Sequence, residues 1–219
     1  IPDVLDCWFE SGSMPYAQLH YPFENKEKFE SNFPAQFIAE GVDQTRAWFY
    51  YLHVIASAIK DSAAFQNVIV NGIVLAEDGR KMSKRLSNYP APEKIFDTYG
   101  ADAMRYYLVT SGAVRAEDLR FAEKTVAEKA RMFVTLFNVV SFYEMFAEGH
   151  DVSNLESADL DDVLDKWIVA KLNELITEVT DAMEKYDLPR AARPIEKFVD
   201  ELSTWYVRRS RDRFKSDDE

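Results

Sequence analysis

The sequence predicts an α/β segment followed by an all-α segment, and two observations carry that prediction. Before about residue 115, short apolar runs with β-branched residues are interrupted by Gly and Pro; after it, apolar residues recur at helical spacing over long stretches. Within the front part, two strand-like runs flank one helix-like run, the signature of a βαβ unit with a parallel sheet and a right-handed crossover.

The elements follow in order. FIAEG at 37–41 and NVIVNGIVL at 67–75 have the composition of buried strands. Between them, Asp43 to Ile59 reads as a helix with Asp43 as N-cap and Trp48, Leu52, Ile55 and Ile59 on one face. Ligands of such sheets bind beyond the carboxyl ends of the strands, which here means Glu40-Gly41 and Leu75 onward. The back half predicts three amphipathic helices. Leu119–Phe146 carries Phe133, Leu136, Phe137 and Val140; Leu160–Tyr186 carries Leu164, Trp167, Ile168, Leu172 and Leu175; Leu188–Phe214 carries Phe198, Leu202, Trp205 and Tyr206. Joined by polar loops such as GHDVSNLESADL, they read as an incomplete helical bundle with an apolar face in need of a partner. The domain division expected is 1–115 and 116–219.

Composition narrows the class. With 47% hydrophobic residues among 219, a core is assured and whole-chain disorder is excluded. No apolar run approaches the roughly 20 residues of a membrane helix, and the opening IPDVLDCWFE is acidic where a secretory signal would be basic. A cytoplasmic protein without membrane contact is expected. The single cysteine, Cys7, excludes an internal disulfide and is expected to pack; the histidines (His20, His53, His150) are scattered singles, and no protein-bound metal is expected. The opening without Met suggests a piece of a longer chain.

The net charge of −12 argues against a generally basic nucleic-acid surface. Even so, Arg208, Arg209, Arg211 and Arg213 gather near the C-terminus. Charge alone leaves open whether they engage phosphate or form a solvated helix end beside Asp200 and Asp212.

The strongest local signal is DGRKMSKRLSNYP at 78–90. Asp78-Gly79 makes a turn, and Arg80, Lys81, Lys84 and Arg85 bracket Met82 and Ser83. Such a cationic loop after a strand suits phosphate, although composition alone fits an exposed basic hairpin equally well.

Lys-Met-Ser-Lys-Arg closely resembles the KMSKS signature of class I aminoacyl-tRNA synthetases. DVLDCWFESGSMPYAQ at 3–18, FIAEGVDQTRAWF at 37–49, NVIVNGIVLAEDGRKMSKR at 67–85 and YGADAMRYYL at 99–108 resemble successive blocks of the isoleucyl group. LSTWYVRRSRDRF at 202–214 is similar to the anticodon-binding helices of the isoleucine, valine, leucine and methionine enzymes. The resemblance implies half of a Rossmann-like nucleotide-binding fold with a stem-contact region, then the start of an anticodon-binding bundle.

It also implies roles. Glu40, Gly41, Asp43 and Gln44 match the stretch that holds the aminoacyl-adenylate, and Asn71-Gly72 corresponds to the strand end near the adenine. Trp8 and Trp48 look like walls of the isoleucine side-chain pocket, or else ordinary core. Lys81 and Lys84 resemble the lysines that bind the triphosphate, Lys84 the more critical and Ser83 secondary. Arg208, Arg209, Arg211 and Arg213 would face tRNA(Ile). ATP with Mg²⁺, isoleucine, tRNA(Ile) and the rest of the same polypeptide are the implied partners. The implied chemistry is attack of the isoleucine carboxylate on the α-phosphate of ATP, then transfer to the terminal ribose of tRNA.

Departures are visible. There is no His-x-x-His, so the His-Ile-Gly-His half of the site is expected to be missing; nor is there room for the family's inserted editing domain, and the segment is expected to be inactive alone. Ala47 stands where Gly is more usual, expected to tighten helix packing, and Arg85 replaces the signature's last Ser. A non-catalytic nucleotide- or tRNA-binding module and a valine-specific synthetase are the alternative readings.

Overall fold

A parallel pairing of two short strands organises the front of the chain, in a computed structural model that describes residue 3, residues 6–147 and residues 160–215. His150 and nearly all of the GHDVSNLESADL loop lie outside the described residues. The chain divides into two units that interleave along the sequence. Unit 1 takes Ile1–Val74 and Gly112–Leu119; unit 2 takes Leu75–Ser111 and Arg120–Glu219.

Unit 1 opens with α1 (Cys7–Ala17) and α2 (Lys26–Asn32), then β1 (Ile38–Gly41), α3 (Trp48–Lys60) and β2 (Val68–Asn71). The βαβ expectation holds: β1 and β2 run parallel, Ile38 opposite Val68 and Gly41 opposite Asn71. A Tyr16–Tyr21–Phe29–Phe33 cluster forms one core, with Phe29 stacked 4.1 Å from Tyr21 and 4.9 Å from Phe33. Leu52, Ala56 and Ala64 form a second, beneath β1. Each large apolar side chain so buried contributes on the order of 1.5–3 kcal/mol. Helices α1 and α3 approach closely because Gly12 has no side chain: a Cβ there would meet Tyr51 Cβ at 2.9 Å.

Three expectations change in unit 1. The helix foreseen from Asp43 begins five residues later, because Val42–Arg46 winds as a 3₁₀ turn and the chain breaks at Ala47 (φ −138°, ψ −112°). Ala47 therefore sits in that break and does not tighten helix packing. The inward face of α3 is Phe49, Leu52, Ile55 and Ala56, while Ile59 is exposed. The run at 67–75 is likewise two strands, since the chain leaves the β1 ladder after Asn71: Gly72 N–H donates to the Ala113 carbonyl at 2.7 Å and Ile73 N–H to the Asp118 carboxylate at 3.2 Å. Cys7 is exposed, not packed, because it lies in the first turn of α1 on its solvent side.

Strand β3 (Val74–Leu75) carries the chain into unit 2, where α4 (Pro92–Tyr99) and α5 (Ala101–Thr110) follow. Gly100 separates the two helices at φ +87°, a conformation open to glycine. Strand β4 (Leu119–Arg120) leads back, and then come α6 (Glu123–Ala147), α7 (Val163–Glu184), α8 (Leu188–Asp200), a π-helical segment (Glu201–Val207) and α9 (Arg208–Lys215). The core joins Tyr106, Met132, Ala192 and Val199. Two polar ties lock α8 to α5: the Tyr106 hydroxyl donates to the Ala192 carbonyl at 2.9 Å, and Arg193 donates twice to the Thr110 carbonyl, at 3.0 and 2.8 Å.

The three expected long helices are present with altered edges. Leu119–Arg120 is strand and α6 starts at Glu123; the third helix is one helical path whose middle turn widens to π geometry. The apolar faces are only partly used. On α6, Val126 and Met132 are buried while Leu136, Phe137 and Val140 are exposed; on α7, Ile168 is buried and Leu172 exposed; Trp205 is exposed as well. Among the described residues, no helix is long and apolar enough to cross a membrane.

Candidate functional site

The predicted site residues fall into the two units, and each group has its own geometry. In unit 1 they gather where β1 and β2 end. Gly41 pairs with Asn71 in register, and Glu40 is exposed one residue earlier. A Cβ on Gly41 would fall 2.5 Å from Asp43 Oδ1, so glycine lets the Asp43 side chain fold back over the strand end. The Gln44 amide then bridges outward: its Nε2 donates to Asp43 Oδ2 at 3.3 Å, and its Oε1 accepts the Trp48 N–H at 3.1 Å. Gln44, not Asp43, thus satisfies a free amide at the start of α3.

Trp48 is fixed at both ends. Its indole N–H donates to the Ser11 carbonyl at 3.3 Å, and its ring lines an apolar cavity of about 320 Å³ with Met14, Phe29, Phe33, Leu52 and Ala64. Trp8 does not line that cavity and is 38% exposed. Ser11 ties to both tryptophans, since its hydroxyl donates to the Trp8 carbonyl at 3.0 Å. Asp6 begins the same helix by accepting the Trp8 N–H at 2.9 Å, and accepts the Tyr51 hydroxyl at 3.1 Å; this contact raises the Tyr51 pKa. Gly72 proves to be a packing position. A Cβ there would lie 1.9 Å from the Glu117 carbonyl oxygen, so the strand end can meet the 112–119 segment only with glycine.

In unit 2, residues 75–81 form a hairpin. Ala76 N–H donates to the Arg80 carbonyl at 2.9 Å, Gly79 occupies the left-handed position at φ +80°, and Leu75 bridges Lys81. Arg80 does not join the loop's free cations, because it grips Asp78 through Nε at 2.7 Å and Nη2 at 2.6 Å. That pairing lowers the Asp78 pKa. Lys81 and Lys84 project as exposed side chains, with Ser83 half-buried between them. A second turn, closed by Leu86 N–H on the Ser83 carbonyl (3.1 Å), ends at Ser87 in the left-handed region (φ +46°). From there the Asn88 side chain reaches back, accepting the Ser83 N–H at 2.9 Å and donating to the Lys81 carbonyl at 3.1 Å. Asn88 was not singled out from the sequence; the S-N-Y-P turn composition was the available signal.

The arginine patch is not uniform either. Arg213 is engaged within unit 2, paired with Asp165 and, at 3.4 Å, with Asp162, not with the Asp200 and Asp212 suggested by proximity in sequence. The Arg209 guanidinium stacks 3.7 Å above the exposed Trp205 ring, and Arg211 lies 5.9 Å from the Phe142 ring. Arg208 is exposed. Among the described residues, no group of three or more His, Cys, Asp or Glu is placed to hold a metal ion.

Both parts of the chain match known protein families. The family described as tRNA synthetases class I (I, L, M and V) matches residues 1–120, and the anticodon-binding domain of tRNA ligase matches residues 165–219. The chain belongs to the class I tRNA synthetases. Within them, its relatives include the isoleucine–tRNA ligase of Chlamydia muridarum, 56% identical over 216 residues, covering 98% of this chain and 21% of that protein. The isoleucine–tRNA ligase of Protochlamydia amoebophila is 52% identical over 226 residues, covering all of this chain and 21% of its own length. The chain therefore spans about a fifth of these relatives. Among solved structures, the fold is shared with the ternary LeuRS–tRNA–LeuAMS complex of Agrobacterium radiobacter K84, at TM-score 0.75 and 21% identity, covering 92% of this chain and 27% of that one.

Proposed function

We propose that this chain is the second catalytic half and the start of the anticodon-binding bundle of an isoleucine–tRNA ligase, divided functionally as 1–115 and 116–219. The observation that carries the reading is the identity of 52–56% to isoleucine–tRNA ligases along virtually the entire chain, through the KMSKR hairpin. The intact cytoplasmic enzyme activates isoleucine with ATP and Mg²⁺ and passes it to tRNA(Ile); the rest of the same polypeptide completes the site.

In this reading Glu40, Gly41, Asp43 and Gln44, with Asn71 alongside, hold the adenylate, while Gly72 seats the strand end against residues 112–119. Glu40 can accept from an ammonium or a hydroxyl, and the carboxylate–amide pair of Asp43 and Gln44 offers fixed polar groups at the strand end. Trp8 and Trp48 bound the amino-acid side chain. The isoleucine carboxylate attacks the α-phosphate and pyrophosphate leaves; no protein nucleophile is needed, because positioning and charge neutralisation carry the step. Lys81 and Lys84, exposed and close in sequence, meet the β- and γ-phosphates as charge builds on the leaving group, with Ser83 secondary and Mg²⁺ sharing the neutralisation. Arg208, Arg209 and Arg211 face RNA, while Arg213 braces the helices.

The test is isoleucine-dependent ATP–pyrophosphate exchange in the full-length enzyme carrying Lys84→Ala. A fall of about two orders of magnitude or more is expected, the scale of losing a group that acts on transition-state charge. An unchanged rate would remove Lys84 from the chemistry.

A further inference from the structure

We infer that Asn88 is a positioning residue for adenylate formation, holding the Lys81–Lys84 segment in the shape that presents both lysines. The inference rests on the proposed reading of that segment as the triphosphate-binding loop.

Four observations converge. The single Asn88 side chain spans the loop, its Oδ1 accepting the Ser83 N–H at 2.9 Å and its Nδ2 donating to the Lys81 carbonyl at 3.1 Å. It can reach back because Ser87, at φ +46°, reverses the chain in a region that L residues seldom occupy. On the other side, the loop is anchored by the hairpin bridge between Leu75 and Lys81 and by the Asp78–Arg80 pair. Finally, Asn88 is half-buried while Lys81 and Lys84 are exposed, so the clamp is more sheltered than the cations on either side of Ser83.

The chemistry explains the choice of side chain. Bridging an amide N–H and a carbonyl that lie apart requires an acceptor and a donor on separate atoms of one short group, and the planar amide of asparagine supplies both. Aspartate supplies only the acceptor when ionised, and glutamine adds a methylene that moves both contacts. Without the bridge, the Lys81–Ser87 backbone loses both Asn88 bonds and keeps, as side-chain support, the longer one from the Ser87 hydroxyl to the Lys84 carbonyl (3.4 Å), and the lysines are spread over more orientations. A misplacement of about 1 Å in a positioned group can cost about 10²-fold in rate.

The experiment compares Asn88→Ala, Asn88→Asp and Lys84→Ala in the full-length synthetase by isoleucine-dependent ATP–pyrophosphate exchange, with thermal unfolding of each. Asn88→Ala is expected to lower kcat by roughly 10- to 100-fold and raise KM for ATP while leaving KM for isoleucine within twofold. Asn88→Asp, which keeps the Ser83 contact, should fall between it and the wild type. General damage to the fold would raise both KM values and lower the Tm, whereas loss of positioning splits ATP from isoleucine. If Lys84→Ala is crippled but Asn88→Ala works within twofold of wild type, the positioning role is overturned and the loop reading stands. If Lys84→Ala is itself unaffected, the loop reading fails, and the role of Asn88 with it.

Discussion

Arg213 grips Asp165 with both prongs of its guanidinium, Nη1 at 3.1 Å and Nη2 at 2.7 Å, joining α9 to the first turn of α7. The Tyr206 hydroxyl donates to the same carboxylate at 2.8 Å. Arg213, with Tyr206 beside it, holds the Asp165 carboxyl below the usual carboxylate range against the opposing effect of burial. A lowered pKa in the folded state means that this contribution is fully present above the unfolded titration at about pH 4, and is lost as pH falls through the lower folded value. Asp165→Asn should therefore flatten the acid limb of a Tm-versus-pH curve and cost about 1 kcal/mol at neutral pH, a modest figure because Arg213 is half exposed. An acid limb identical to wild type would exclude Asp165 as a source of acid sensitivity.

On the alkaline side, burial pushes the Tyr106 and Tyr206 hydroxyls up to about 12. The sign is opposite: their contribution is whole below pH 10 and fades as pH rises from 10 towards 12. Tyr106→Phe removes the bond to the Ala192 carbonyl and leaves a buried acceptor, at a cost of about 1–2 kcal/mol. Urea unfolding at pH 7.5 and pH 10.5 should show a smaller difference between wild type and variant at the higher pH.

Gly72→Ala tests the strand end. With a Cβ only 1.9 Å from the Glu117 carbonyl oxygen, backbone must shift, and a loss of about 2–3 kcal/mol is expected. Chemical denaturation would read it directly, and an unaltered midpoint would show that the 112–119 segment yields freely.

The two tryptophans should part company under substitution. Trp48→Phe loses a hydrogen bond to Ser11 and fills its cavity less well, so stability should fall by about 1–2 kcal/mol along with isoleucine affinity. Trp8→Phe, at a more exposed position, should alter KM for isoleucine with a Tm within experimental scatter. Equal losses of stability would assign both residues to the core.

Among the arginines, Arg209→Ala should weaken tRNA binding and reduce its salt dependence by about one counterion, without affecting the fold. Arg213→Ala should do the reverse. Filter binding across a salt series, paired with Tm, separates them; a Tm loss for Arg209→Ala equal to that of Arg213→Ala would make its stack on Trp205 a structural contact.

The sequence disclosed what periodicity and punctuation encode. The parallel β1–α3–β2 unit, the long α6 and α7 and the KMSKR hairpin are each legible from residue spacing or from Asp78-Gly79. What escaped depends on partners distant in sequence or on side-chain geometry. Nothing local to Gly72 reports that Glu117 will lie against it, and Asp165 is 48 residues from Arg213, beyond any helical pattern. The start of α3 was misplaced because Asp43 has the composition of an N-cap, while the bond that matters comes from Gln44. The exposed faces of α6 and α7 show the limit of amphipathic reasoning: an apolar stripe says that a helix can be covered, not by what.

The interleaving of the two units has a consequence for dissection of the gene. Unit 1 closes only when residues 112–119 return to it after a 37-residue excursion through Leu75–Ser111, and those eight residues in turn interrupt unit 2. No single cut anywhere in the chain leaves both units whole, and a break at 115 divides the strap itself. A crossover placed in the excursion would pair residues 1–74 of one parent with the 112–119 strap of the other, so the close seat of Gly72 against the Glu117 backbone would have to form between segments of different origin. Exchange of unit 1 between homologues therefore takes two segments, not one.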